Sequence, residues 1–181
     1  QVDGPVRAFV SDGEGGWFIG GAFTHVHGLP RAHLAHILPN FQPDPNWAPD
    51  TDGEVYALAR GGGRLYVSGA FDIIDYHRSP RLAALNARSG RILSIGPAVP
   101  ASARITYLAA QGDSLYVAGI FDALGGAARK NLAALDGATL ALKPWVSGVN
   151  VNTVGAWAVG ERGVYVNAIA RLDLETGAPL P

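Results

Sequence analysis

The chain has no cysteine and no methionine among its 181 residues. The first absence excludes disulfides, thiolate metal sites and cysteine nucleophiles together. It leaves the redox compartment open, because a repeat fold with a large core needs no covalent staples in an oxidising space. The second absence extends to position 1 and reads as a processed mature protein or a stretch of a longer one. Charge is scarce too, at 16% of residues with a net −1. With no basic run, neither nucleic acid nor anionic lipid has an electrostatic reason to bind. No apolar run approaches the ~18 residues of a membrane-spanning helix. The sequence also has no Gly-x-Ser-x-Gly motif for a serine nucleophile. Its two lysines, Lys130 and Lys143, follow no Gly-rich phosphate-cradling loop.

What is plentiful is turn chemistry: 24 Gly and 12 Pro are spread through a chain that is 48% hydrophobic. Such a composition belongs to a folded, turn-rich all-β protein. Aligning the chain on itself organises it. Val6 to Phe9, Val55 to Leu58, Ile105 to Leu108 and Val154 to Trp157 recur at intervals of 49, 50 and 49. After a Gly-containing turn, a second apolar segment follows each: Trp17 to Ile19, Leu65 to Val67, Leu115 to Val117 and Val164 to Val166. In three copies it runs into Gly-x-Phe, at Gly21, Gly69 and Gly119. A third segment comes next, at Leu34 to Ile37, Leu82 to Leu85, Leu132 to Leu135 and Ile169 to Leu172, and a short fourth leads back to the start.

Four short strands joined by tight turns describe an antiparallel meander. The strands do not alternate cleanly between apolar and polar, so both faces of each sheet are expected to be covered, as blades stacked around an axis cover them. The expected fold is therefore all-β: a β-propeller, or an arc of one, of four blades, each a four-stranded antiparallel meander of about 49 residues. The blades span approximately 4–52, 53–102, 103–150 and 151–181. Glycine in the second strand implies the close approach of another backbone, expected from the next blade.

The fourth copy is short. Val117 precedes Leu132 by 15 residues, whereas Val166 precedes Ile169 by 3, so about 12 residues and the Gly-x-Phe signature are missing. Either the last blade is trimmed, or Asn167 and Ala168 are not covalent neighbours; the intact flanking strands favour the second reading.

Gly20-Gly21-Ala22-Phe23-Thr24 with Gly28, Pro30 and Arg31 resembles the bacterial delta-60 type of propeller repeat. Ala134 to Asp136 leading to Trp145, and Arg171-Leu172-Asp173 to Gly177, resemble the quinoprotein-like (PQQ-like) tryptophan-docking repeat. The resemblance implies a bacterial, exported propeller, extracellular or periplasmic, and no particular activity. A quinone cofactor is the sharpest enzymatic idea it suggests. Such enzymes use larger propellers, and many place a vicinal cysteine pair over the cofactor, so no cofactor is expected here. The chain is read as leaning away from catalysis.

Several residues are candidates for chemistry. His25 and His27 have usable metal-ligand spacing on an extended segment. The other repeats carry no matching ligand, so the pair reads as loop histidines without a metal. Asp50 to Glu54 suggests a calcium loop, but the positions that would supply further ligands are Ala48 and Ala59. A polar turn explains it, and explains Asp3-Gly4 as well. Trp47 and Trp145 share a phase of the repeat and read as packing residues between blades; exposed at the rims, they would instead stack on sugars. The segments between the second and third strands vary most. In the second repeat Ile73, Ile74, Tyr76, His77 and Arg78 combine apolar, aromatic and cationic groups, the composition of binding hot spots. Ile73 and Ile74 serve equally well as caps on the blade core. The candidate partner-binding loops are these residues with His25 and His27. The expected partner is another protein or a surface assembly, with a glycan as the alternative.

Overall fold

The computed structural model describes residues 1–149, 151–152, 154–167 and 170–181. The first repeat forms β1 (Val6–Ser11), β2 (Trp17–Gly21), the two-residue β3 (His25–Val26) and β4 (Leu29–Pro30), and β5 (Leu34–Ile37). The second forms β6 (Val55–Gly61), β7 (Arg64–Gly69), β8 (Ile73–Ile74), β9 (His77–Arg78), β10 (Leu82–Asn86) and β11 (Ile92–Ile95). The third forms β12 (Arg104–Gln111), β13 (Ser114–Ile120), β14 (Ala123–Leu124), β15 (Ala127–Ala128) and β16 (Leu132–Asp136). The fourth forms β17 (Trp157–Gly160), β18 (Gly163–Val166), β19 (Ala170–Leu172) and β20 (Pro179–Leu180).

Each repeat makes one antiparallel sheet, in the orders β1-β2-β5, β6-β7-β10-β11, β12-β13-β16 and β17-β18-β19-β20. The fourth strand is fully formed only in the second and fourth blades. In the first and third blades the fourth strand shrinks to a single bridge, Ile37 to Pro43 and Leu135 to Leu142. Pro43 and Pro45 follow in the first and Pro144 in the third, and a proline has no N–H to extend a ladder. In the fourth blade, Val166 pairs with Ala170 and Val164 with Leu172, the register that joins Val117 to Ala133 and Leu115 to Leu135. The expected break between Asn167 and Ala168 lies outside the described residues.

The first strands of successive blades lie side by side, β1 against β6, β6 against β12 and β12 against β17, so they mark the inner edge. Each of β1, β6 and β12 carries a bulge at the same point, between Val6 and Ala8, Val55 and Ala57, and Ile105 and Tyr107. This is where the second-strand glycines are needed. A Cβ on Gly21, Gly69 or Gly119 would collide with the carbonyl oxygen of Pro5, Glu54 or Arg104. The backbone that approaches is therefore the first strand of the same blade, not the neighbouring blade. Gly20 is the exception, since its missing side chain makes room for Val55 of the second blade.

Three apolar interfaces hold the blades together. Phe18, Leu34 and Trp47 pack on Val55, Leu58, Val67 and Leu85 between the first two. Tyr66, Leu82 and Ala84 pack on Ile105, Leu108, Val117 and Leu135 between the next two. Tyr116, Leu132 and Trp145 pack on Val164, Val166 and Leu172 between the last two. Burying each large side chain stabilises the fold by about 1.5–3 kcal/mol. Among the described residues no hydrogen bond, ion pair or core cluster joins the first blade to the fourth. Val6, Phe9 and Trp17 of the first blade stay exposed where Val55, Leu58 and Leu65 of the second are buried, so the described residues form an open arc.

Candidate functional site

Three hairpins project from the connection between second and third strands: β3–β4, β8–β9 and β14–β15. Each is tied down by the segment leading into its own blade. Asp3 Oδ1 accepts the N–H groups of Thr24 and His25 at 2.8 and 2.9 Å. Asp52 Oδ1 does the same for Asp72 and Ile73. The polar turn at Asp50 to Glu54 is therefore a hairpin anchor. The Thr24 hydroxyl, followed by the backbone N–H groups of His25 and Thr24, holds the Asp3 carboxyl well below the usual carboxylate range.

The tips differ in chemistry. Two-residue hairpin turns want positive φ at both central positions, hence glycine or asparagine. The first tip is His27 (φ 49°) and Gly28 (φ 80°), and the third is Gly125 (φ 59°) and Gly126 (φ 80°). The second is Asp75 (φ 46°) and Tyr76 (φ 63°), so a tyrosine occupies the left-handed position that glycine takes in its sisters. The residue is 90% exposed. His77 and Arg78 are exposed beside it, and Ile73 is exposed at the base of the hairpin. Ile74 is not part of this surface. It is fully buried, bridged to Thr51 and packed in the core between the first two blades. The candidate loop therefore divides, with Ile74 capping the blade and Ile73, Tyr76, His77 and Arg78 left at the surface.

His25 and His27 lie on the first hairpin, not with the Tyr76 group. His25 Nδ1 sits 3.2 Å from Asp3 Oδ2, and His27 Nδ1 sits 3.2 Å from Gln42 Oε1. His36 is a different case and was missed as a structural residue. It is largely buried, stacked on Phe18 with ring centres 4.6 Å apart. Its Nε2 meets Asp12 at 3.0 Å and its Nδ1 meets Asp44 at 3.1 Å. These partners lie 24 and 8 residues away, beyond the reach of any local motif.

The inner edge holds the second feature that the sequence reading overlooked. An open polar pocket of about 460 Å³ is lined by Arg7, Glu54, Tyr56, Arg104 and Thr106 with Pro5 and Val6. Arg7 Nε donates to Glu54 Oε1 across the first two blades. The Arg104 guanidinium stands 5.7 Å from the centre of the Tyr56 ring, a cation–π distance. Val55 and Ile105 do not fill this space, because they are buried between blades. Trp47 and Trp145 are likewise buried, with their Nε1 groups donating to the carbonyls of Ala87 and Asp173 at 3.0 and 2.9 Å. Neither offers a ring for a sugar to stack on.

No family model and no curated protein matches the sequence. Solved structures do match the fold. The computationally designed Ika4 protein superposes with a TM-score of 0.60 at 14% identity, covering 91% of this chain and 87% of that one. BamB from Moraxella catarrhalis superposes at 0.59 with 16% identity, covering 98% of this chain and 47% of its own. The Pan2 WD40 domain from Neurospora crassa gives 0.55 with 14% identity, covering 99% and 52%. At such identities the likeness shows the fold alone, and that fold is a β-propeller's. The chain spans about half the length of the BamB and Pan2 chains.

Proposed function

We propose that the chain is a non-catalytic, exported β-propeller module that docks another protein or a surface assembly through the β8–β9 hairpin. The observation that carries this reading is Tyr76. An L-residue in the left-handed region costs about 1–2 kcal/mol relative to glycine. The sister hairpins avoid that cost with Gly28 and Gly126, whereas the second places an almost fully exposed aromatic ring there. Strain kept at an exposed tip is better explained by recognition than by folding. Tyr and Arg beside an apolar residue are the groups that dominate binding hot spots. The anchored base of the hairpin supports rigid presentation of Tyr76. The exported setting rests on the repeat's resemblance to bacterial delta-60 blades.

The test is photo-crosslinking in the native cell, with a benzophenone amino acid at position 76 and a control at 126 on the third hairpin. A discrete adduct to one protein from position 76, absent from 126, is expected. No adduct from 76, or the same adducts from both, overturns the reading. Fractionation of the crosslinked cells checks the compartment.

A further inference from the structure

The first strands of three consecutive blades each eject one residue from their ladder. The pairing of β1 skips Arg7, that of β6 skips Tyr56 and that of β12 skips Thr106. A bulge leaves its extra residue unpaired and re-aims the side chain. Here all three line the same pocket of about 460 Å³ at the inner edge. The residues two places earlier, Pro5, Glu54 and Arg104, complete its wall with Val6. The scaffold does not ask for polar groups at these positions, since they also hold Pro5 in the first blade and Gly155 in the fourth. The walls come wholly from residues 5–106, and the pocket needs no free face at either end of the chain.

The charges inside the pocket do not cancel. Arg7 Nε donates to Glu54 Oε1, which neutralises that pair. Arg104 is exposed and makes no ion pair or side-chain hydrogen bond among the described residues. Its guanidinium carbon stands 5.7 Å from the centre of the Tyr56 ring, so a face rests on the aromatic and the N–H edge stays free. That edge matches a carboxylate in a two-bond fork. Further hydrogen-bonding capacity surrounds it. The Tyr56 and Thr106 hydroxyls have no partner among the described residues. Glu54 engages Arg7 through one oxygen and keeps the other as an acceptor.

We infer that this pocket binds a small hydroxylated monocarboxylate, the chemistry of a sugar acid such as a hexuronate. The ligand's carboxylate seats on the edge of Arg104, and its hydroxyls are shared among Thr106, Tyr56 and Glu54. The surplus of a single positive charge in the wall matches a single negative charge on the ligand. A dianion such as a phosphate monoester meets the Glu54 carboxylate and is disfavoured by like-charge repulsion. The volume lies low in the range of about 300–1,000 Å³ for small-molecule sites, which suits one ring-sized ligand rather than a run of peptide. A free sugar acid and the terminal uronic residue of a polysaccharide present the same group to it. The site shares no residue with the Tyr76 hairpin, so it stands or falls separately from the docking reading.

Amide NMR titration of the 181-residue chain with sodium glucuronate tests the inference, beside glucose and acetate at matched ionic strength. Saturable shifts in β6 and β12 with a Kd of about 1 mM or below are expected from glucuronate. Glucose lacks the acid and acetate lacks the hydroxyls, so each is expected to bind at least about tenfold more weakly. Arg104→Gln is expected to weaken glucuronate about tenfold or more, and Thr106→Val about two- to tenfold. Neither side chain is buried, so both variants are expected to keep the far-UV spectrum of the parent. Tyr76→Gly is expected to leave the affinity unchanged. A short glucuronate oligomer that binds more tightly than the monomer supports the reading with a polysaccharide end as the source, and equal binding supports it with the free acid. No saturable shift by about 20 mM glucuronate, equal binding of glucose, or unchanged affinity in Arg104→Gln overturns the inference. Tighter binding of an acidic peptide also overturns it.

Discussion

Tyr66, on the second blade, donates its hydroxyl to the carbonyl of Gly137 on the third at 2.9 Å, 71 residues away in sequence. Burial pushes the phenol up from its ordinary pKa, so the hydroxyl keeps its proton and the bond persists across the neutral range. Tyr116 repeats the bond one blade later. Removing one hydroxyl leaves a carbonyl without its partner inside the interface. Tyr66→Phe is expected to lower stability by about 0.5–1.5 kcal/mol, read from urea unfolding. No change in the midpoint would mean that the apolar contacts alone set the blade stacking.

Tyr76→Gly separates folding from recognition. Relieving the left-handed strain and adding glycine's backbone entropy oppose each other, for a net gain of about 0.5–1 kcal/mol. A raised unfolding midpoint together with loss of the partner identified from position 76 is the expected pair of results. A lowered midpoint would assign Tyr76 to the fold.

Trp47 is fully buried, bonded to Ala87 and packed against Phe18 with ring centres 5.1 Å apart. Trp47→Ala is expected to cost about 3–5 kcal/mol in chemical denaturation. A cost below about 1 kcal/mol, the level of an ordinary surface substitution, would contradict its place between the blades.

The Asp12–His36–Asp44 bridge makes the first blade sensitive to acid. Burial by itself would push the Asp12 carboxyl up. The hydrogen bond from His36, the N–H groups of Glu14 and Gly16, and the charge of His36 outweigh it and hold the carboxyl below its ordinary value. A carboxyl depressed in the folded state adds stability above its unfolded pKa of about 3.9, and the gain is lost as pH falls through the folded value. Unfolding free energy is expected to fall below about pH 4, and Asp12→Asn is expected to be less stable at neutral pH with a shallower acid slope. Parallel pH curves for the two proteins would exclude the linkage.

The period of the chain and its second and third strands were readable because a turn signal and an apolar run recur every 49 or 50 residues. The hairpins between them were not, since a two-residue strand such as Ala127–Ala128 carries no alternation to detect. The backbone that Gly21, Gly69 and Gly119 make room for was assigned to the wrong neighbour, because a local pattern does not say whether the close chain is the same blade or the next. Phe9 and Trp17 show a similar limit. Their pattern matches Leu58 and Leu65, and sequence alone does not show that the first pair stands exposed while the second is buried. At the candidate loop, composition pointed to the hairpin, but only the pleat of a paired strand separates buried Ile74 from exposed Ile73.

The open arc is the central claim about the architecture, and intrachain distances test it most directly. The chain has no cysteine, so spin labels can be attached at chosen exposed sites, diluted with unlabelled protein so that only pairs within one chain report. Glu14 and Arg60 lie on adjacent blades, and Glu161 lies on the fourth. The account predicts that the Glu14–Glu161 distance is much longer than the Glu14–Arg60 distance. Equal distances would mean that the first and fourth blades touch and that the ring closes at four.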